Sequence, residues 1–368
     1  MSYVWQSSDW PCFFSDPDAV RKAYEGFLDA KQAADAAFSL AGRDSDKMLH
    51  SQALADEIVS SLAIEGEHIC FDSVYSSVSR RLGLNLDVKG KTDAYADGIS
   101  ELELDAVLNH GIMSIERLDW WHELLFKNAA GIRPKRIGEF RNGPEYILRT
   151  SGKNSDLIYE AVPADCVRAE MDRLIVFINS DNDMNPLEKS ATAALRFVAI
   201  HPYGDGNGRI SRAISDYVLA SVWNDDARVL SMSSLILKHR NDYYSELNAV
   251  TAQSDSLDLT RWIIWNIDLA VMAENDAVKS LKKSLRLSAL MRTLDPSLFN
   301  SREITMMYKL ADGSFFGKLT NEKWVKMNKC SPAAALRDLK HLVSCGLLIE
   351  SGDSGPKSGY YLNPELCI

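Results

Sequence analysis

The chain lacks any paired C-x-x-C spacing: across 368 residues its six cysteines (Cys12, Cys70, Cys166, Cys330, Cys345 and Cys367) are scattered. That pattern argues against a disulfide frame or a zinc site and suits reduced thiols in a cytoplasm. Long apolar runs are also missing. Nothing approaches the ~18 uninterrupted apolar residues of a membrane helix, and the richest stretch, Trp262 to Ala273, is broken by Asn266 and Asp268. No basic segment followed by an apolar core opens the chain, so no secretory signal is expected and the expected location is cytoplasmic, away from membranes. Positive charge is scarce too. Lys and Arg number 41 against 51 Asp and Glu, a net charge of −10. A mainly electrostatic nucleic-acid binder is disfavoured, although a local basic surface is not. Internal repeats and low-complexity tracts are absent.

Hydrophobic residues make up 46% of the chain, enough for real cores, and the length predicts two or three domains. Residues 15 to 130 read as mostly helical. Asp16-Pro17-Asp18 predicts a helix start, with Ala19 to Leu40 following, then Lys47 to Ile64, then Asp72 to Leu82 capped by Asp72 or Ser73. Ser114 predicts another N-cap, with Glu116 in the first turn and Leu118, Trp121, Leu124 and Leu125 on one apolar face. Tyr146-Ile-Leu-Arg and Asp156-Leu-Ile-Tyr-Glu-Ala are strand-like and flank Thr150-Ser-Gly-Lys-Asn-Ser155, the mark of a hairpin with a longer loop. Helical patterning then runs from Pro163 to about Lys282, interrupted at 201 to 208. The domains expected are 1–110, helical; 111–283, a core with a hairpin near 146–159; a linker over 284–301; and 302–368.

The segment Phe197-Val-Ala-Ile-His201-Pro202-Tyr203-Gly204-Asp205-Gly206-Asn207-Gly208-Arg209-Ile210-Ser211-Arg212 is the most informative. A proline disfavours helical geometry in the residue before it, so the His201 imidazole should sit where the chain leaves a helix. A neutral histidine there can accept a proton from an attacking hydroxyl. Gly206-Asn207-Gly208 allows successive N–H groups to turn inward around an anion, and the next helix adds its positive end. Asp205 is the loop's only carboxylate. Magnesium is commonly held by one or two carboxylates together with substrate phosphates. Arg209 and Arg212, three apart, project from one side of the new helix and match phosphate oxygens. Taken singly, each element has a plain structural explanation; in this order they imply a nucleoside di- or triphosphate with magnesium, attacked by a hydroxyl.

The segment resembles the signature of Fic-domain proteins at every position except Tyr203, where that family usually has Phe. The resemblance implies a mainly α fold: a Fic-type helical core with a short β-hairpin flap. It also implies transfer of AMP from ATP to a protein Ser, Thr or Tyr hydroxyl, with pyrophosphate leaving. Carried over by position, His201 would be the base and Asp205 the magnesium ligand. Asn207 and the Gly206 and Gly208 amides would hold the α-phosphate, and Arg209 and Arg212 the outer phosphates. The hairpin would clamp a target protein by strand addition.

Upstream, Ser61-Leu-Ala-Ile-Glu65-Gly66 resembles the family's inhibitory motif. It implies a Glu65–Arg212 pair supported by the Ser61 hydroxyl, blocking a γ-phosphate contact within the same chain. Trp5-Gln-x-x-Asp-Trp10-Pro and Gly138-Glu-Phe-Arg141 resemble a bacterial subgroup that ends in a winged helix, with Trp5 and Trp10 read as anchors of the N-terminal helices. Tyr243 and Tyr244 are candidates for an adenine pocket, or equally for core contacts.

Thr320 to Met327 and Ser331 to Cys345 read as two helices, ended by Gly346, with Leu347 to Ile349 and Tyr360 to Leu362 as strands of a wing. This resembles a winged helix-turn-helix. Residues 301–368 carry nine Lys and Arg against seven Asp and Glu, a balance of +2 that is modest for a DNA binder. DNA contact and protein docking stand level. The leading expectation is an autoinhibited protein adenylyltransferase using ATP and magnesium. Removal of AMP by the same site, with Glu65 aligning water, competes with it, as does a nucleotide-sensing transcriptional regulator. Self-modification and a homodimer are left open, as are the target and the base preference.

Overall fold

Local chemistry starts several of the helices. Asp16 Oδ1 accepts the N–H groups of Asp18 and Ala19 at 3.0 and 3.1 Å, opening helix α1 (Pro17–Ala41). Helix α2 (Arg43–Ile64) follows, then α3 (Phe71–Arg81), whose N-cap is Cys70 rather than Asp72 or Ser73. Asp93 caps α4 (Ala94–Leu108), and Ser114 caps α5 (Ile115–Phe126) by accepting from Arg117 N at 3.2 Å, as its spacing predicts. This computed structural model describes residues 3–41, 43–84, 93–129, 133–151, 154–223, 230–251, 256–293, 296–311, 318–352 and 359–363.

Strands β1 (Tyr146–Ser151) and β2 (Asn154–Glu160) pair antiparallel with an irregularity between Ile147 and Leu148. They extend through most of the loop expected between them, and the tip at 152–153 lies outside the described residues. Next come α6 (Val167–Asn179), α7 (Pro186–Ile200) and α8 (Asn207–Trp223). Helices α9 (Met232–Lys238), α10 (Arg240–Thr251) and α11 (Thr260–Thr293) follow. Thus α11 continues through the first ten residues of the expected linker, while Asp295 lies outside the described residues.

The chain divides into two compact units, residues 1–36 with 47–275, and residues 37–46 with 276–368. In the first, α7 packs along α8, and α4 packs on both α8 and α5. Their apolar faces meet in one core that includes Leu62, Leu118, Trp121, Phe197, Tyr203 and Ile210. A second core gathers Phe27, Ile64, Leu195, Tyr243, Trp262 and Ile267. Trp5 and Trp10 also tie the opening segment to later elements, and Trp10 packs on the core that holds Leu54, Ile58 and Leu62. Trp5 Nε1 donates to Glu160 O of β2 at 2.7 Å and braces the hairpin, and Trp10 Nε1 donates to Glu170 Oε2 of α6 at 2.9 Å.

In the second unit, α12 (Ser301–Ala311), α13 (Asn321–Asn328) and α14 (Pro332–Ser344) precede the antiparallel pair β3 (Leu348–Glu350) and β4 (Tyr360–Leu362). Thr320 and Ser331 cap α13 and α14. The turn at 353–358 lies outside the described residues. Asp338, 5% exposed, organises this core. It accepts from Arg302 Nε and Nη2 at 2.8 and 3.0 Å, from Asn300 Nδ2 at 3.0 Å and from Trp324 Nε1 at 3.1 Å. Burial alone would raise its pKa, but these bonds hold the carboxyl below its ordinary range. No helix among the described residues is long and apolar enough to cross a membrane.

Asp338→Ala would strand the four donors together. We expect it to lower the opening free energy of α13 and α14 by about 2–3 kcal/mol, read as faster hydrogen exchange there with α7 and α8 unchanged. Unchanged exchange in α14 would show that the carboxylate is dispensable.

Candidate functional site

His201 caps α7 in the left-handed conformation, φ 53° and ψ 59°, not in the extended geometry that the following proline favours. The reason lies in Arg141, a buried guanidinium that donates to carbonyls only. Its Nε bonds His201 O at 2.7 Å and its Nη2 bonds Ile200 O at 3.2 Å, with further bonds to Gly143 O and Val162 O. Arg141 N also donates to Pro202 O at 2.8 Å. These contacts satisfy the helix-end carbonyls and fix the turn. His201 Nδ1 lies 3.1 Å from Val198 O, which can only accept, so Nδ1 carries the proton and Nε2 keeps its lone pair. Burial lowers this imidazole's pKa to about 4, which keeps it neutral at pH 7.

Tyr203 is fully buried, and its hydroxyl donates to Asp119 Oδ1 at 2.8 Å. The extra oxygen of this residue thus has a partner on α5. The Tyr203 ring stacks on His122 with centroids 4.1 Å apart. His122 Nδ1 accepts from Gly138 N at 2.9 Å, so its Nε2 donates to Asp205 O at 3.2 Å. The Asn207 side chain is engaged with the loop itself. Its carboxamide accepts from Tyr203 N at 3.0 Å and donates to Tyr203 O at 2.8 Å, which closes the loop internally.

Gly206 has φ +82°, and a Cβ there would lie 2.8 Å from Leu125 Cδ2, so both conformation and space demand glycine. Its N–H donates to Asp205 Oδ1 at 2.6 Å. An anion at this loop would therefore meet the first turn of α8, whose N–H groups have no intrahelical acceptor. Gly208 lies in that turn, and a Cβ on it would come within 2.2 Å of Glu65 Oε1. A carboxylate thus already rests against the helix start.

Glu65 Oε1 also accepts from Arg212 Nη2 at 2.9 Å, and Ser61 supplies its Oγ to Arg212 Nε at 2.9 Å and its carbonyl to Nη2 at 2.8 Å. The pair expected from the resemblance is present, with its hydroxyl support. Arg212 Nη1 is buried and makes no hydrogen bond. Arg209, its side chain 5% exposed, is held by Asp205 Oδ1 at 2.9 Å and by Glu67. Sequence reasoning passed over Glu67, two residues beyond Glu65.

The Asp205 side chain is 49% exposed. Among the described residues no group of three or more His, Cys, Asp or Glu could hold a metal. Magnesium fits here only if substrate phosphates complete its shell around Asp205, which is its common mode of binding.

Glu65, His201 and Gly208 border a cavity of about 880 Å³, whereas Arg209 and Arg212 do not. Ile147 and Tyr159 of the hairpin close one side. Tyr243 and Tyr244 line the same cavity, and Arg240 lies 5.5 Å over the Tyr244 ring. Tyr243 also packs on Trp262 and Trp265, so it serves the core as well as the cavity wall.

Behind Arg212 lie three buried acids, Glu57, Glu103 and Asp216. Burial raises Glu57 to about 7, with Ser233 N donating to its Oε2 at 2.8 Å, and raises Glu103 to about 8. Burial and the neighbouring acids push Asp216 up as well. These protons have to be lost as the pH rises, while Arg212 already has Glu65.

Residues 112–219 match the Fic/DOC family, and residues 3–84 match a domain of unknown function, DUF4172. Among solved structures, a Fic family protein from Desulfovibrio desulfuricans G20 superposes with a TM-score of 0.57 at 18% identity, covering 96% of this chain and 98% of that one. A Fic domain containing signaling protein from Bacteroides thetaiotaomicron VPI-5482 gives 0.49 at 15%, covering 72% of this chain and 97% of that one. Fic-1 (aa134 - 508) from C. elegans gives 0.49 at 15%, covering 73% of each chain. The first of these superpositions establishes the fold, a Fic-type helical core with a short hairpin.

Two expectations follow. Tyr203→Phe keeps the stacked ring and leaves Asp119 without its donor, so stability should fall by about 1 kcal/mol in urea unfolding while function persists. A loss of function with stability intact would contradict this. The raised acids stabilise the fold below pH 4.5, and that contribution is lost as the pH rises through 7 and 8. His122 and His201, held near 4, affect the slope only below 6.5. Stability should therefore drop by on the order of 2 kcal/mol between pH 6.5 and 8.5, and Glu103→Gln should flatten the drop. An unflattened slope would clear Glu103.

Proposed function

We propose that this chain, whose residues 112–219 form a Fic/DOC-family domain, is an autoinhibited protein adenylyltransferase. Fic/DOC domains are generally nucleotidyl transferases. The observation that carries the finer reading is the position of the Glu65 carboxylate, against Gly208 at the start of α8 and on Arg212. Both are places where an anion belongs, and Glu65 and Gly208 border the cavity that His201 also borders.

The chemistry assigned to the site is direct. A target hydroxyl attacks the α-phosphorus of ATP while His201 Nε2 takes its proton, the bond to the β-phosphate oxygen breaks, and pyrophosphate leaves. The α8 amides would stabilise charge on the α-phosphate, and Arg209 and Arg212 the outer phosphates. Magnesium held by Asp205 and the phosphates would neutralise the triphosphate. Backbone pairing along the β1–β2 hairpin would hold the target segment, next to the exposed Tyr146, Leu148 and Leu157. Tyr243 and Tyr244 would flank the base.

With Glu65 in place, Arg212 is neutralised and the carboxylate repels an incoming phosphate, so transfer is suppressed. Removing AMP from a modified protein is the second reading, since Glu65 and His201 border one cavity and a water between them could be activated.

The test uses ATP labelled at either the α- or the γ-phosphate, with label retained on protein as the readout. Glu65→Gly should raise α-label at least tenfold over wild type and retain no γ-label, and adding His201→Ala should cut the α-label by about 10²-fold or more. Loss of AMP removal in Glu65→Gly without any gain in transfer would favour the second reading.

A further inference from the structure

The turn that ends α2 carries a second carboxylate into the phosphate site. Gly66 adopts φ +83°, Gly66 N donates to Ala63 O and Glu67 N to Leu62 O, both at 3.0 Å. This is a left-handed helix cap, and its two flanking residues are both glutamates. Glu65 faces Arg212. Glu67 pairs Arg209 through Oε1, and its Oε2 accepts from the Tyr95 hydroxyl at 2.6 Å. Burial and the Glu67 carboxylate hold the Tyr95 hydroxyl protonated well beyond the ordinary range, so it stays a donor. Glu67 is 39% exposed while Arg209 is 5% exposed, so the carboxylate sits on the solvent side of the guanidinium.

We propose that Glu67 is a second determinant of nucleotide affinity, competing with phosphate for Arg209 as Glu65 competes for Arg212. The inference rests on the reading of this site as one for a nucleoside triphosphate. Glu67 then joins Asp205 on Arg209 as Glu65 stands on Arg212, and one glycine turn delivers both glutamates. A nucleotide that displaced Glu65 alone would still meet a neutralised Arg209 and a nearby negative charge. Tyr95, on the first turn of α4, steadies the second contact from outside the cap.

The measurement is calorimetric titration of wild type, Glu67→Gln, Glu65→Gln, the double variant and Tyr95→Phe with magnesium and α,β-methylene-ATP. The methylene bridge blocks AMP transfer, so affinity is read without chemistry. Glu67→Gln should bind roughly three- to tenfold more tightly than wild type, a range set by the strength of a charged contact at a partly exposed site. The double variant should bind more tightly than either single variant, and Tyr95→Phe should move the same way by less. Unchanged or weaker binding in Glu67→Gln, with Glu65→Gln tighter, would overturn the proposal and make Glu67 a support for Arg209. Absence of binding in every variant would overturn it together with the phosphate site. Failure of label transfer with these affinities as expected would strike the adenylyltransferase reading alone.

Discussion

A guanidinium buried as deeply as Arg212 needs an anion, and much of the first unit is arranged around which anion it has. Three contacts come from the end of α2 and the turn after it, the Ser61 hydroxyl, the Ser61 carbonyl and the Glu65 carboxylate. Removing one partner of a buried pair leaves an uncompensated charge, which is far more costly than never burying the pair. The α2 segment is therefore bound to the signature helix by a charge requirement as well as by the apolar contacts of Ile58 and Leu62 with the common core. A phosphate would meet the same requirement. The regulation proposed for this site is an exchange of one counter-anion for another, with no change in the helical frame.

The part of the site assigned to the proposed catalysis is built independently of that exchange. Arg141 ties the end of α7 through backbone carbonyls, and His122 ties the loop through Asp205 O while stacking on Tyr203. Asn207 bonds the loop to itself. None of these contacts involves Glu65 or Glu67. His201 and the start of α8 are thus pre-organised, and the two arginines are masked. Pre-organisation of the proposed base together with masking of the proposed phosphate ligands would keep such a site idle.

The sequence made visible whatever is set by neighbours along the chain. Ser114 caps a helix where its spacing places it, and Thr320 and Ser331 cap the two helices that the sequence reading begins at them. The Glu65–Arg212 contact joins residues 147 apart, and it was foreseen through a family resemblance, not through any local rule. Glu67, Tyr95, His122 and Asp119 gave no signal, because each gains its role only when α4 and α5 fold against the loop. His201 departs from the extended geometry its proline favours because Arg141, sixty residues away, holds the carbonyls on either side. The bonds of the Asn207 carboxamide to the Tyr203 backbone also had no signal in the sequence, because they depend on how the loop folds over a buried side chain.

The most direct test of the anion exchange is a crystal structure of the Glu65→Gly protein soaked with magnesium and α,β-methylene-ATP. The account predicts a phosphate oxygen on Arg212 where the Glu65 carboxylate rests, the α-phosphate over Gly208 at the start of α8, and His201 Nε2 facing the α-phosphorus from the side opposite the bridging methylene. A triphosphate bound elsewhere in the cavity, with Arg212 left on Ser61 alone or turned to the acids behind it, would contradict it.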